Sequence, residues 1–199
     1  PYKDDDMANE TGNFGLRAAR QLDGSPYNGA QNRYRILKNY GTALYQGDLV
    51  MTSVNGTIER AGATSNPVVG VFNGVFYTDP TTSKPTWKNY YPATISANDI
   101  MAQVIDGPDV VFEINADATF TVSHLFANYK INATTGSTLS GQGRESLDVA
   151  TADSSSTFVL KAVDISQDPN NSDTTASSGV NVLVVLNAHS YKSGTVGQT

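Results

Sequence analysis

The densest apolar run in the first half of the chain spans residues 67–77, Pro-Val-Val-Gly-Val-Phe-Asn-Gly-Val-Phe-Tyr. Its side chains are β-branched or aromatic and suit a pleated, half-buried surface. Alternation puts Val69, Val71, Asn73, Val75 and Tyr77 on one face, and Val68, Gly70, Phe72, Gly74 and Phe76 on the other. Both faces are largely apolar, which predicts a strand covered on both sides, at the centre of a sandwich or barrel. Gly70 and Gly74 suit a bend, a bulge or the close approach of another backbone. Two glycines in so short a run argue against a helix.

Short strands separated by turn chemistry surround this run. Residues 33–38 and 42–46 flank Asn39-Tyr40-Gly41, and residues 48–53 and 57–61 flank Val54-Asn55-Gly56. Asn-Gly is the pair that a type I′ hairpin turn favours. Residues 100–105 and 110–116 read as a strand pair joined by Asp106-Gly107-Pro108-Asp109. In the second, Val110, Phe112, Ile114 and Ala116 face the core, and Val111, Glu113, Asn115 and Asp117 face away. Over residues 119–129, Val122, Leu125, Phe126 and Tyr129 recur at helical spacing, with Asp117 or Thr119 as a cap, which predicts one short helix. Residues 146–149, 158–165 and 180–191 close the sheet, while 78–85 and 166–179 are loops rich in Thr, Pro, Ser, Asp and Asn. The expected fold is all-β: a single-domain β-sandwich or barrel-like body with an extended N-terminal arm and at most one short helix.

Composition agrees with that picture. Only 16% of residues are charged, with a net charge of −6, against a typical ~25%; Ser, Thr, Asn and Gly fill the surface instead. There is no cysteine, which excludes a disulfide framework and thiolate metal sites. No stretch approaches the ~18 apolar residues of a membrane span, and no signal-peptide pattern opens the chain, so no membrane partner is expected. Tyr2-Lys3-Asp4-Asp5-Asp6 resembles part of an acidic epitope tag; the other reading makes Met7 an internal start preceded by read-through. Residues 1–12 are expected to stand outside the fold, with a solvated acidic start. Residues 13–31 form an extended basic arm, and 32–199 the β-rich body.

Five of the thirteen basic residues (Arg17, Arg20, Arg33, Arg35 and Lys38) lie between residues 14 and 38, opposed only by Asp23. One reading is a solvated arm. Another is an arm that docks on protein, since Arg favours interface ion pairs, with Phe14, Leu16, Arg17, Arg20, Tyr27, Arg33 and Arg35 as contacts. Five basic residues without a longer tract are a thin footprint for nucleic acid, and none is expected as a partner. Trp87, Tyr90 and Tyr91, beside Lys88, read either as an exposed aromatic surface that stacks sugars or as a covered corner of the core or a subunit contact.

Chemistry-bearing patterns are sparse. His124 and His189 have no metal-ligand spacing to another His or to a paired carboxylate. Residues 141–146, Gly-Gln-Gly-Arg-Glu-Ser, lack the third glycine of a dinucleotide fingerprint and the Lys of a phosphate loop. Asp168 to Asp173 holds acids and amides without EF-hand spacing. Asn9, Asn55, Asn132 and Asn170 head Asn-x-Ser/Thr triplets that loop placement explains without glycans. Neither catalysis, a metal nor a cofactor is expected.

Gly15-Leu16-Arg17-Ala18-Ala19-Arg20, Gly24-Ser25-Pro26-Tyr27-Asn28-Gly29, Asn32-Arg33-Tyr34, Gly47-Asp48-Leu49-Val50, Val69-Gly70-Val71 and Val111-Phe112-Glu113-Ile114 resemble head proteins of tailed bacteriophages, the capsid cement or decoration proteins encoded near the major coat protein. The likeness spans most of the chain from Gly15. It implies an all-β body with an extended arm, no enzymatic activity, and a place on the outer capsid surface of the virion after synthesis in the bacterial cytoplasm. It also implies the major capsid protein as partner and commonly a homotrimer. The alternative is a virion surface adhesive module that binds host glycans through Trp87, Tyr90 and Tyr91. One further expectation concerns assembly. Asp99, Asp106, Asp109, Glu113 and Asp117 lie in a stretch with no Lys or Arg, so the basic arm of one subunit is expected to clasp the acidic edge of the next.

Overall fold

The computed structural model describes residues 9, 12–64, 66–171 and 179–192; the acidic start at Asp4, Asp5 and Asp6 and residues 172–178 of the last long loop lie outside the described residues. The strands are β1 (Arg17–Gln21), β2 (Asn32–Arg35), β3 (Leu49–Ser53), β4 (Thr57–Arg60), β5 (Gly70–Thr78), β6 (Pro85–Lys88), β7 (Met101–Ile105), β8 (Val110–Asn115), β9 (Asn128–Asn132), β10 (Ser146–Asp153), β11 (Leu160–Ile165) and β12 (Asn181–Leu186). They make two antiparallel sheets, one ordered β1-β8-β12-β11-β9-β10, the other β2-β7-β5-β3-β4 with β6 added on β5. The body is all-β and sandwich-like.

The second sheet curls until its edges meet. Ile36, just past β2, makes a parallel bridge with Ile58 of β4. The barrel-like interior holds Ile36, Leu44, Val50, Ile58, Phe72, Val75, Tyr77, Tyr91, Ile100 and Val104, all buried. A second core lies between the barrel's outer wall and the first sheet: Leu49, Val71 and Ile105 from the barrel meet Phe112, Ile114 and Val184. The strand predicted to be covered on both sides, β5, is therefore the wall shared by the two cores.

Within β5 the strict alternation read from the sequence fails at one point. The pairing with β7 shifts register between Phe72, opposite Val104, and Gly74, opposite Gln103. One extra residue in a strand turns every later side chain to the other face. Val75 and Tyr77 accordingly join Phe72 inside the barrel instead of Val71 between the sheets. Phe76 is turned outward, 43% exposed. Gly74 permits the kink, with φ of +148°, and Gly70 permits close approach, since a Cβ there would collide with the Ile105 carbonyl.

The hairpin at Asn55-Gly56 forms between β3 and β4, but over three residues and with Gly56 (φ +69°) and not Asn55 at positive φ, so it is not the type I′ turn the pair favours. Four other expectations are corrected. Residues 33–38 do not pair with 42–46; β2 pairs with β7 instead, because the barrel needs its edges brought round. Residues 100–105 and 110–116 do not pair either, since β7 and β8 belong to different sheets and residues 106–109 carry the chain across. All six residues of β8 are buried, since it is an interior strand between β1 and β12. The helix expected over 119–129 is a single 3-10 turn, Val122–His124, followed by β9. Phe126 takes φ +68° and its N–H donates to the Ala162 carbonyl at 3.0 Å, which ends any helical path. Of the four residues at helical spacing, Leu125 and Tyr129 pack on the core, whereas Val122 and Phe126 are exposed.

The N-terminal segment, expected as an arm reaching away from the body, is extended but docked on its own chain. Leu16 is 3% exposed in the core and its N–H donates to the Gly47 carbonyl at 2.8 Å. Strand β1 then pairs antiparallel with β8. Its physical reason is that β8 would otherwise be a long apolar edge strand, open to pairing with other chains.

Candidate interaction surface

The first element of the surface is a cross-strand row on the barrel's outer wall. Arg35 lies opposite Met101, Met101 opposite Phe76, and Phe76 opposite Trp87. Directly opposed residues share a face, so the four side chains form one row across β2, β7, β5 and β6, about 14 Å long at ordinary strand spacing. Arg33, opposite Gln103, stands in the next row on the same face. Trp87 is 58% exposed, and its indole lies on Gly74, with Cζ2 at 2.9 Å from where a Cβ would stand. The bulge thus does two things: it turns Phe76 out, and it clears a bed for the indole. Beside the row, at the end of β5, the Asp99 carboxylate is held by the Thr78 hydroxyl (2.6 Å) and N–H. Arg33 and Arg35 are exposed and form no ion pair among the described residues.

The aromatic trio does not assemble. Tyr91 is fully buried in the barrel interior, its hydroxyl donating to the Tyr40 carbonyl at 3.0 Å. Tyr90 is half-buried and stacks on Tyr45 at 5.8 Å, with the Lys88 ammonium over its ring at 5.6 Å. Trp87 alone is displayed, and its companion is Phe76, a residue that alternation alone counted as part of a covered strand.

The arm residues separate into groups. Phe14, Leu16, Arg17 and Tyr27 line a cleft of about 270 Å³ beside Gln46 and Asn73. Arg17 stacks on Phe14 at 4.7 Å and pairs with Glu113 at 2.6 Å. Arg20 turns back to the Gln21 carbonyl, and the Tyr27 hydroxyl donates to the Ala30 carbonyl. Arg17 of the arm and Glu113 of the acidic strand thus meet within one chain, where the clasp was expected between subunits.

Two buried polar knots hold the surface in place. Asp48 and Glu145 are both fully buried, with one guanidinium between them, Arg60, at 3.2 Å from each. Asp48 Oδ2 accepts from the Tyr45 N–H, Glu145 Oε2 from the Leu49 N–H, and Arg60 also donates to the Thr134 carbonyl at 2.6 Å. Arg60 Nε stands close to Asp48 but is not aligned to donate, and Asp48 Oδ1 has no partner. Burial pushes the Asp48 carboxyl up to about 6 against the pull of Arg60. Burial, then the neighbouring Asp48 charge, raises Glu145 well above the usual carboxylate range. The second knot is neutral on its donor side: Asp106 accepts from Asn32 Nδ2 and from the Tyr34 hydroxyl at 2.5 Å. Burial and the Asp106 bond raise the Tyr34 phenol, and burial lowers the nearby His189.

Among the described residues, no three His, Asp or Glu side chains are placed to hold a metal ion. No family model, curated protein or solved structure matches the chain.

Proposed function

We propose that this chain is a virion structural protein that binds the outer surface of a tailed-phage capsid and stabilises it, acting by binding and not by catalysis. The observation that carries the reading is the exposed Arg35–Met101–Phe76–Trp87 row, on a body whose sequence motifs resemble cement proteins. Covering the exposed 43% of Phe76 and 58% of Trp87 removes roughly 200 Å² of apolar surface from water, about 5 kcal/mol before ordering costs. A contact of that size, repeated over a shell, stabilises the assembled state by mass action, because it exists only when the shell does. The major capsid protein is the partner under this reading.

A second reading, an adhesive module for host glycans, is favoured by one feature: the flat, exposed indole of Trp87. The burial of Tyr91 leaves that platform with one ring where three were expected. Both readings are separated by mixing the purified protein with undecorated shells of the encoding virus and, in parallel, with host cells. Cement function predicts that the protein sediments with shells and raises the temperature at which they come apart. Binding to cells and not to shells overturns it in favour of adhesion.

A further inference from the structure

The exposed row has a counterpart elsewhere on the same molecule. Between the turn at 121–126 and the loop at 164–171 runs a groove of about 400 Å³, lined by the apolar Val122, Leu125, Ile165 and Pro169 and by five polar residues, Asp164 and Asp168 among them. Two apolar side chains of the turn are exposed. Val122 is 72% exposed and Phe126 70%. The turn between them is fixed by the Thr121 N–H donating to His124 Nδ1 (3.0 Å) and by the Tyr129 hydroxyl donating to the His124 carbonyl (2.5 Å). Phe126 itself holds φ +68°, a conformation that costs of order 1 kcal/mol or more in a bulky residue and persists only where surroundings impose it. Asp164 and Asp168 accept only from neighbouring backbone, the N–H groups of Ile165 and Asn170, and form no ion pair among the described residues.

We propose that two copies of this chain join head to tail, with Trp87 of one copy seated in this groove of the next and Arg33 and Arg35 facing Asp164 and Asp168. The surfaces are opposite in two respects. One projects an indole where the other is concave, and one carries arginines, the other carboxylates, that form no ion pair among the described residues. An aromatic anchor filling a pocket is the arrangement in which binding energy concentrates at protein interfaces. Charge favours this pairing over groove against groove, which sets the two aspartates of one copy against those of the other. Because the two patches are distinct, the contact is heterologous, and it repeats until a ring closes or a filament grows. The shell-binding reading rests on the same row, so the two compete for Trp87: a monomer that sediments with shells keeps the shell reading and overturns this one, and self-assembly without shell binding does the reverse.

Subunit mixing of the full chain, followed by sedimentation velocity, tests this directly. Wild-type protein sediments above the mass of one chain. Trp87→Asp destroys the projecting side and leaves the groove, whereas Val122→Lys destroys the groove and leaves the row. Each alone sediments as a monomer. An equimolar mixture of the two forms a dimer and nothing larger, because one intact row then meets one intact groove. Both substitutions are at exposed positions, so each variant keeps the wild-type unfolding temperature. A second route uses charge: Arg33→Glu with Arg35→Glu breaks the assembly, and adding Asp164→Lys with Asp168→Lys restores it. A mixture that stays monomeric overturns the pairing, as does a charge swap that restores nothing. Wild-type protein that is monomeric at every concentration reached also overturns it and assigns the row to a different protein.

Discussion

The two hydrophobic cores are built from the chain in different ways. Every residue of the barrel interior falls between Ile36 and Val104, whereas the core between the sheets draws on Leu16 at one end and Leu186 at the other. The barrel is thus a local product of one contiguous third of the chain. The outer sheet is a non-local one, made of β1 and five strands that follow Val110. Local contacts cost less chain entropy to form, so the barrel is the part able to stand first, and the outer sheet is assembled on its wall. The exposed row belongs to the barrel and the groove to the outer sheet, so the proposed contact joins the two kinds of structure between copies.

The strongest way to break the comparison is at the shared wall. Val71→Asp buries a carboxylate between the cores, and Phe72→Asp buries one inside the barrel, each at a cost of several kcal/mol against a total stability of about 5–15. Neither variant is expected to give soluble, β-rich protein, as read by circular dichroism. Truncation sharpens it next. Removing residues 1–24 takes away Leu16 and all of β1, exposing the edge of β8; the loss of Leu16 burial alone is about 2 kcal/mol. The outer sheet should lose protection from amide hydrogen exchange while barrel amides keep theirs. Equal loss in both would mean that the two cores form one cooperative unit.

The buried carboxylates separate the regions by pH. Asp48 and Glu145 hold their protons more tightly folded than unfolded, so the stability linked to them is greatest below about pH 4 and falls as pH rises through about 6. For Asp48 alone, a carboxyl moved from 3.8 to about 6 represents on the order of 3 kcal/mol lost by neutral pH. His189 acts in the opposite sense, since its lowered value costs stability as pH falls; comparing Asp48→Asn with wild type cancels it. The variant should show a flatter fall in urea midpoint across that range. An unchanged slope would place the protons elsewhere. The smallest effect is Arg17→Ala. The Arg17 side chain is 61% exposed, and its pair with Glu113 is worth about 1 kcal/mol, seen as a shift of a few degrees in unfolding temperature.

What could be read in the sequence follows the same division. The barrel's central strand, its glycines and the Asn55-Gly56 hairpin were legible because they depend on neighbours a few residues away. The faces of Val75 and Tyr77 were not, because one bulge residue reverses them and alternation has no mark for it. The pairing of β2 with β7 was hidden behind a plausible local turn at Asn39-Tyr40-Gly41. Beyond Val110 the pattern misled more often, since an interior strand such as β8 hides its period, and Leu125 and Tyr129 reach the core four residues apart without a helix between them. Arg17 and Glu113 were identified as complementary, but charge alone does not say whether complementary groups sit in one chain or two. Arg33, Arg35 and Trp87 were each named as contacts; that they share one face with Phe76 is a matter of register, which composition cannot supply. The groove was missed altogether, because it is formed by two loops about forty residues apart.

The most direct test of the claim that this row is an interface uses the chain's one tryptophan. Trp87, at 58% exposure, reports its own surroundings by fluorescence, with no label and no substitution. As protein concentration rises, its emission should shift to shorter wavelength and become resistant to quenching by acrylamide, in step with the gain in sedimenting mass. If the mass grows while Trp87 stays as red and as quenchable as in the monomer, the copies meet elsewhere and the row is not the contact.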